Sequence, residues 1–477
     1  MSSISAALVG ASGALDAFQY ALNVSQNNVD NASTPGYATQ TADLQADPFD
    51  PAGGLSGGVS DGTLIDSRDL LAESDVWQQA GLQGDASAQS EALTSVQNAV
   101  PVGEGDGIPA ALTTFFSDVS AWSAAPTSGS AQQSVIVAAG SLAQSFQATA
   151  AGVASASASV TQSIGDTVGQ INQATGQIAT LNTEIQDGNQ QDAGIQAQLY
   201  SSLETLSGLV NINVLQQPGG SVDVTLSSGA ALVLGSQSYA LSAGSAPPPA
   251  GSTDPQAPPD IDIQAADGSI VTGQITSGSL AGLLQVQNVA IPGLIGDANQ
   301  PGALNTLAST VSNAVNAIVS QGSVSVGGAA GGIGLFATPD AAQPTSAAST
   351  MAVNPNMTAS LLPAIDANGV ANGVPLAIGA LSTSTADETG GLTYTTFYGT
   401  TAAQVGTQLS QAQTNQTLTA QTLAQAQSMR QSESGVSLDA EAVNVLQFQA
   451  GYQAIAKMVA TLQTLTQSLI DMIPDAA

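Results

Sequence analysis

The chain has 477 residues with 35 Asp and Glu, only 3 Lys and Arg, no His and no Cys, and its net charge is -32. Three cations cannot neutralise the phosphates of a nucleic acid or hold the chain on an anionic membrane surface, so neither partner is expected. Without His or Cys the sequence offers no Ser-His triad, no thiolate nucleophile and no Cys/His zinc site. We therefore expect a protein that is not an enzyme and binds no cofactor.

The N-terminal segment predicts a helix with a narrow apolar seam. Seam residues recur in alternate steps of four and three, the spacing of a coiled-coil face. They are Ile4, Leu8, Ala11, Leu15, Phe18, Leu22, Ser25 and Val29. The helix should end at "STPGY", because Pro35 disfavours the helical region at Thr34 and Gly36 permits a reversal.

The same segment lacks the features of a cleavable secretion signal. Its first 25 residues contain no Lys or Arg, and Asp16 interrupts the apolar stretch. No window in the chain approaches 18 consecutive apolar residues, so no membrane insertion is expected.

The interior predicts more helices, interrupted by a β-rich insert. Residues 164–185 carry an apolar stripe of Ile and Val, and residues 304–318 carry another. Residues 210–242 alternate with period two and break at Pro-Gly-Gly and Ser-Gly, which indicates β-hairpins. The expected fold class is mainly α with a β-rich insert, comprising paired terminal helices, a central helical bundle and a hairpin-rich outer segment.

Two interior stretches have the composition of ligand-binding loops. "DIDIQAADG" (260–268) brings Asp residues close to a Gly, but their spacing differs from a calcium loop and the alternating Ile residues favour a strand. "GGAAGGIG" (327–334) lacks the lysine of a phosphate-binding loop, and a flexible turn is favoured. The acidic residues are otherwise scattered, and no pair stands out for acid–base catalysis.

The C-terminal segment predicts a second narrow seam. Ser437 provides an N-cap, with Asp439 and Glu441 in the first turn, where the helix dipole favours anions. The seam comprises Leu438, Glu441, Val445, Phe448, Tyr452, Ile455, Val459, Leu462, Thr466, Leu469 and Ile473. An amphipathic helix usually covers its own domain's core. Narrow seams at both termini instead favour helices that pair with each other, with other subunits, or both.

These patterns divide the chain into seven expected segments. They are 1–36, an N-terminal coiled-coil helix that pairs with 436–477; 37–209, the first part of a helical core domain; 210–290, the β-hairpin insert; 291–322, the second part of the helical core; 323–400, a small Gly/Ala/Pro-rich outer domain or loops; 401–435, the return helix of the core; and 436–477, the C-terminal coiled-coil helix.

Both terminal segments resemble the signatures of bacterial flagellar axial proteins. The N-terminal matches within "ALNVSQNNVDNASTPGYATQ" are Asn27, Asn28, Val29, Asn31, Thr34, Pro35, Gly36 and Tyr37. The C-terminal matches are Gly435, Val436, Leu438, Asp439, Glu441, Asn444, Gln449, Tyr452, Gln453, Ala454 and Lys457. One departure is Thr39, since the family usually places an Arg at that position.

The order of the interior segments resembles the hook-associated protein 1 family, whose members join the flagellar hook to the filament. The resemblance implies a structural subunit whose terminal helices form an inner tube, with copies of itself, hook subunits below and the next junction protein above as partners. It also implies unfolded export by the flagellar type III apparatus, a cytoplasmic chaperone on the C-terminal helix, and location in the secreted flagellum. A hook or rod subunit, or an adhesin-like component of the organelle, is the alternative; the helical stripe at 164–185 favours the junction protein.

Overall fold

A computed structural model describes residues 2–50, 55–103, 105–190, 192–227, 229–252, 254 and 257–471. The helices are α1 Ser2–Asp30, α2 Leu70–Ala99, α3 Gly107–Ala124, α4 Gly129–Gln186, α5 Ala193–Leu209, α6 Ser279–Gln285, α7 Ile291–Ile295, α8 Ala303–Gln321, α9 Ala347–Thr350, α10 Gly373–Ala380, α11 Tyr394–Ser434 and α12 Leu438–Asp471. The strands are β1 Gln40–Asp50, β2 Leu55–Asp66, β3 Asn213–Gln216, β4 Val222–Thr225, β5 Ala231–Leu234, β6 Gln237–Ser238, β7 Ser242–Ser245 and β8 Ile261–Gln264. The predicted fold class, mainly α with a β-containing insert, is confirmed.

The two terminal helices pack against each other in opposite directions. Near one end the side chain of Asn28 in α1 meets that of Glu441 in α12. Ten residues earlier in α1, the ring of Phe18 lies 6.3 Å from the ring of Phe448. It is also so close to Gly451 that a Cβ there would stand 2.9 Å from it. The ends of the chain are therefore joined along an antiparallel helix pair.

A long antiparallel hairpin of β1 and β2 packs on α1, and the sequence analysis missed it. The hairpin lies within 37–209, where helices were expected, so that expectation is wrong for residues 40–50 and 55–66. The backbones are in contact: a Cβ on Gly13 would lie 3.5 Å from the carbonyl oxygen of Val59, and one on Gly58 would lie 3.5 Å from the Cα of Gly10. The strands are rich in Asp, Gly and Ser and lack clear alternation, so the usual sequence signal of a strand is absent.

The helical core is built around α2, α4 and α11. Helix α2 packs along α11, while α4, 58 residues long, contacts α3 and α5. The predicted stripe of α4 is confirmed as buried, and it comprises Ile164, Val168, Ile171, Ile178 and Ile185, with Thr175 and Asn182 as polar breaks. Asn182 has a structural role, since its Nδ2 donates to the carbonyls of Val222 and Gly235 at 2.7 Å each. The polar break therefore holds the β insert onto α4.

The β insert contains two small sheets. Strands β3 to β6 form one sheet in chain order, and β7 pairs with β8 in the other. The predicted strand at "DIDIQ" is confirmed as β8, with Ile261 and Ile263 buried. Alternation of these two side chains toward the core explains why the segment is a strand.

Residues 323–400 are mostly short turns, isolated bridges and the small helices α9 and α10. The segment is attached to the core by Phe336, which is fully buried with its ring 6.1 Å from that of Phe115. Asn316 of α8 holds the backbone of Phe336 from both sides, through bonds of 2.9 and 3.0 Å. The division of the chain into seven segments stays a prediction.

Candidate assembly site where the terminal helices meet the core

The turn after α1 is held by its own polar side chains. Asn31 donates through Nδ2 to Asn27 Oδ1 at 2.7 Å and accepts from Thr34 Oγ1 at 3.1 Å. The backbone N–H of Thr34 donates to the carbonyl of Asn31 at 2.9 Å, and that of Tyr37 to the carbonyl of Thr34 at 3.2 Å. These local bonds compete with the helical ladder and end α1.

Gly36 has no substitute at its position in this turn. Its φ is +73°, a region that side chains rarely adopt. A Cβ there would also lie 2.3 Å from the carbonyl oxygen of Ala197 in α5. The turn can therefore dock directly onto the helical core only because residue 36 is glycine.

Asn28 is the polar centre of the site. It is 1% exposed, and its side chain makes four hydrogen bonds, the full capacity of an amide. Its Nδ2 donates to the carbonyl of Gln40 at 2.8 Å and to Glu441 Oε1 at 2.9 Å. Its Oδ1 accepts from Tyr37 Oη at 2.8 Å and from the N–H of Gln40 at 3.0 Å. One side chain thus connects α1, the turn, the start of β1 and α12.

Glu441, in the first turn of α12, is buried but only half satisfied. Oε1 accepts from Asn28, whereas the buried Oε2 has no hydrogen-bond partner in the structure. Thr39 lies in the adjoining turn, its N–H donating to the carbonyl of Ser434 at 2.9 Å, and its buried Oγ1 also has no partner. The departure noted in the sequence therefore directly precedes Gln40, which shares its partner Asn28 with the half-satisfied Glu441.

The carboxylate of Glu441 also affects the pKa of Tyr37. Burial, together with the nearby carboxylates of Glu441 and Asp66, raises the pKa of Tyr37 to about 12. The phenol is accordingly held as a neutral donor to Asn28, because its ionisation would place a second negative charge beside Glu441.

Two of the three cations of the chain converge on one buried carboxylate. Glu73 of α2 is 1% exposed and accepts from Arg68 Nη1 at 2.7 Å and from Arg430 Nη1 at 3.1 Å. The same nitrogen of Arg430, in α11, also donates to Glu204 of α5 at 2.7 Å. We call Arg68, Glu73, Glu204 and Arg430 the arginine joint, because together they tie α2, α5 and α11 to each other.

The arginine joint also reaches the turn after α1. Arg68 Nη2 donates to the carbonyl of Gly36 at 2.8 Å, and its guanidinium lies 3.7 Å above the ring of Tyr200. Burial lowers the pKa of Arg430, but hydrogen bonds and charge from Glu204 and Glu73 outweigh it, so the net shift is upward. A buried pair of this kind is a poor source of net stability but a strong geometric constraint.

The predicted seam of α1 is only partly covered. Ile4, Leu8, Leu15, Phe18 and Leu22 are half-buried and Val29 is exposed. The fully buried positions of the helix are Ala11, Ala17, Ala21, Ser25 and Asn28, of which only Ala11 and Ser25 belong to that seam. The reason is the unpredicted β1–β2 hairpin, which packs on α1 beside α12 and shifts the buried stripe toward small residues.

The predicted seam of α12 faces α1. Val445, Phe448, Ile455, Val459 and Leu462 are half-buried, and Tyr452 is 38% exposed. Leu469 lies in α12, but its side chain is outside the described residues, as is all of Ile473. The half-buried residues leave apolar surface on both helices beyond what their own contact covers.

The other signature residues lie at the ends and outer surface of this pair. Pro35 is exposed in the turn, and Gly435 ends α11 where a Cβ would stand 2.3 Å from the carbonyl oxygen of Gln431. Asn444 is half-buried, and the exposed signature residues are Leu438, Asp439, Gln449, Gln453 and Lys457. Among the residues that the structure describes, no three His, Cys, Asp or Glu side chains are grouped to hold a metal ion.

The arrangement of this site is structural: its hydrogen bonds and ion pairs fix the direction in which the terminal helices leave the core. In the described part of the chain, no helix is both long and apolar enough to cross a membrane.

The family model "Flagellar hook-associated protein FlgK helical domain" matches residues 93–336, just over half of the chain. The chain belongs to the FlgK family.

Further comparisons agree with this assignment. The model "Flagellar basal body rod FlgEFG protein C-terminal" matches residues 425–472, which include nearly all of α12. Flagellar hook-associated protein 1 of Bacillus subtilis is 24% identical over 96% of both chains. The Salmonella typhimurium protein of that name is 29% identical over 57% of this chain and 49% of its own length, so the chain spans about half of that relative.

One solved structure is similar as well. The flagellar hook junction protein FlgK from Burkholderia pseudomallei is 26% identical, covers 55% of this chain and 46% of its own, and has a TM-score of 0.48. The sequence resemblance to this family, stated from the terminal signatures and interior order, is confirmed.

Sequence reasoning missed the arginine joint of this FlgK family member. Arg68 and Arg430 were noticeable only as two of three cations, and nothing local connects them to Glu73 or Glu204. Their scarcity was the available signal.

Proposed function

We propose that this chain is a structural subunit that joins the flagellar hook to the filament and assembles through its paired terminal helices. The observation that carries the proposal is the attachment of the α1–α12 pair to the core. Asn28 joins the two helices. The carbonyl of Gly36 accepts a hydrogen bond from Arg68, which is paired with Glu73 of α2, so the turn after α1 is fixed to α2. A subunit that bridges two different tubes needs such a fixed angle between its assembly helices and its outer domain.

The partners follow from the surfaces that remain. The apolar residues of α1 and α12 that are half-buried in one copy would be covered by further copies, by hook subunits below and by the next junction protein above. Family membership supports these partners, since the relatives are named hook-associated proteins.

The proposal includes export by the flagellar type III apparatus and a cytoplasmic chaperone on α12. Before assembly, an apolar helix of this length would otherwise associate with other chains. Removing residues 438–477 should abolish capture of the chaperone by the tagged chain. Capture at full strength by the truncated chain would place the chaperone site elsewhere.

Deletion of the gene in its own bacterium tests the function. We expect cells that build complete hooks, carry no filaments and release filament subunits into the medium, with rescue by the intact gene. Missing hooks would indicate the alternative, a hook or rod subunit. Normal filaments with lost surface attachment would indicate an adhesin-like component. Labelled antibody on isolated flagella should mark the boundary between hook and filament.

A further inference from the structure

Helix α12 carries a second apolar face on the side away from α1. Its six exposed residues are Val443, Leu446, Ala450, Ala454, Met458 and Leu465. At 3.6 residues per turn they lie within an arc of about 120°, roughly opposite the seam that contacts α1. Leu446 is 67% exposed, and among the described elements only α1 packs extensively on this helix. An exposed row of apolar residues of this kind indicates a binding surface.

The single lysine of the chain lies in the middle of this face. Lys457 is exposed and adjacent to Met458. The ion pairs found among the described residues involve Arg68 and Arg430, and none involves Lys457. A partner that covers the face must supply a carboxylate to Lys457, because burying an unpaired ammonium is strongly unfavourable.

Helix α1 exposes a carboxylate, that of Asp16, about one helical turn from the axial position of Lys457. Asp16 is exposed, and the other charged residue of α1 is Asp30 at its last position. Because Asn28 is level with Glu441 and Phe18 with Gly451, the antiparallel register within one chain places Lys457 level with Ser12. Copies arranged around a ring lie at the same height, so Lys457 of one copy is then also level with Ser12 of the next. Ser12 is one helical turn from Asp16, an axial offset of about 6 Å that the long lysine side chain can span.

We propose that the exposed face of α12 in one copy binds α1 of a neighbouring copy, with Lys457 of the first paired to Asp16 of the second. This inference rests on the proposed self-assembly and names the contact that carries it. Because the two surfaces are different, the contact is heterologous and can repeat from copy to copy around a ring. Lys457 would fix the register of the contact, as a single polar group does in coiled coils.

Charge reversal tests the pair in cells that carry only the variant gene. Lys457→Glu and Asp16→Lys should each reduce the fraction of cells with filaments at least tenfold. The double variant, which restores opposite charges, should recover at least half of the wild-type fraction. Gln463→Glu, which adds one negative charge at an exposed position outside the face, should assemble normally. A double variant no better than either single variant would overturn the pairing.

Cross-linking tests the geometry independently, because the chain has no native cysteine. In isolated hook–filament complexes from cells that co-express an Asp16→Cys chain and a Lys457→Cys chain, a flexible bismaleimide, which can span the axial offset that a direct disulfide cannot, should yield a cross-linked dimer. If wild-type subunits form no assembly, the proposed function and this inference both fail. If they assemble, but the dimer is absent and charge reversal is not rescued, only the Lys457–Asp16 contact is wrong.

Discussion

Asn28 and Glu441 are 413 positions apart in the chain, and their side chains meet through a 2.9 Å hydrogen bond. The bond joins the end of α1 to the start of α12, at the point where both helices leave the core. The same asparagine holds the backbone of Gln40, so the direction of the terminal pair and the start of the β1–β2 hairpin are set together.

Asn28→Ala should loosen the helix pair and leave the core folded. The change leaves Glu441, Tyr37 and both backbone groups of Gln40 without their partner, and unsatisfied buried groups each cost about 1–3 kcal/mol. We expect the amides of residues 441–448 to open more easily by about 2–4 kcal/mol, measured by hydrogen exchange. Asn23→Ala, an exposed amide on the same helix, is the control. Equal protection in the two variants would contradict the role of Asn28.

Thr39→Arg should stabilise the first turns of α12 where they meet the end of α1. Its guanidinium would supply a charged donor to Glu441 Oε2, which is buried without a partner. Charge-assisted bonds of this kind contribute about 1.5–3 kcal/mol. Hydrogen exchange should show stronger protection of the first turns of α12. Thr39→Met, similar in length without the charge, should give no such gain; if both variants behave alike, the arginine does not reach Glu441.

Glu73→Gln should destabilise the core through the arginine joint. The amide keeps the shape of the side chain but leaves two largely buried guanidiniums short of negative charge. Removing one partner of a buried ion pair costs on the order of 3 kcal/mol, which urea unfolding would detect. Glu433→Gln, on the exposed surface of α11, should be neutral. A loss below 1 kcal/mol would mean that Glu204 alone satisfies Arg430, and that Arg68 needs no carboxylate from α2.

The stability of the chain should fall at alkaline pH because of tyrosine. Burial raises the pKa of Tyr398 to about 12, and burial is also the main reason why the pKa of Tyr200 is about 12. Between pH 10 and 12 the folded state keeps both phenol protons, whereas the unfolded state releases them. Stability is therefore intact below pH 10 and decreases as pH rises, by up to about 1.4 kcal/mol per pH unit for each tyrosine.

This alkaline titration is unusually simple to measure. With one Lys and no Cys in the chain, almost all side chains that change charge in that range are tyrosines. Urea unfolding at pH 8, 10 and 11.5 should show the decrease, and Tyr398→Phe should make it shallower. An unfolding free energy that stays constant to pH 12 would contradict the proposed burial of these phenols.

The elements predicted from sequence were those whose pattern is local. The stripe of α4 at 164–185 and the seam of α12 each repeat along one helix. The first is buried in the core, and the second faces α1 and is half-buried. The β3–β8 insert was equally predictable, because Pro-Gly and Ser-Gly turn sequences separate its strands. The seam predicted for α1 was less accurate, because the β1–β2 hairpin packs on that helix beside α12 and changes which of its residues are buried.

What could not be predicted depends on contacts between distant segments. The arginine joint brings together residues 68, 73, 204 and 430, a convergence that packing of α2, α5 and α11 determines. The signature residue Asn28 was recognisable from the family resemblance, yet its four bonds required the turn, the hairpin and α12 in place. Thr39 was visible as a departure, but its meaning depended on the unpartnered oxygen of Glu441.

The central claim is that the α1–α12 pair is the assembly element of this subunit. Leu462→Glu tests it most directly, because a carboxylate in that half-buried seam lacks a cation to pair with, and Gln463→Glu adds the same charge one residue away at an exposed position. In cells that carry only the variant gene, we predict that Leu462→Glu chains are exported and keep a folded core but build no filaments, while Gln463→Glu cells make normal filaments. Normal filaments on Leu462→Glu cells would contradict the account.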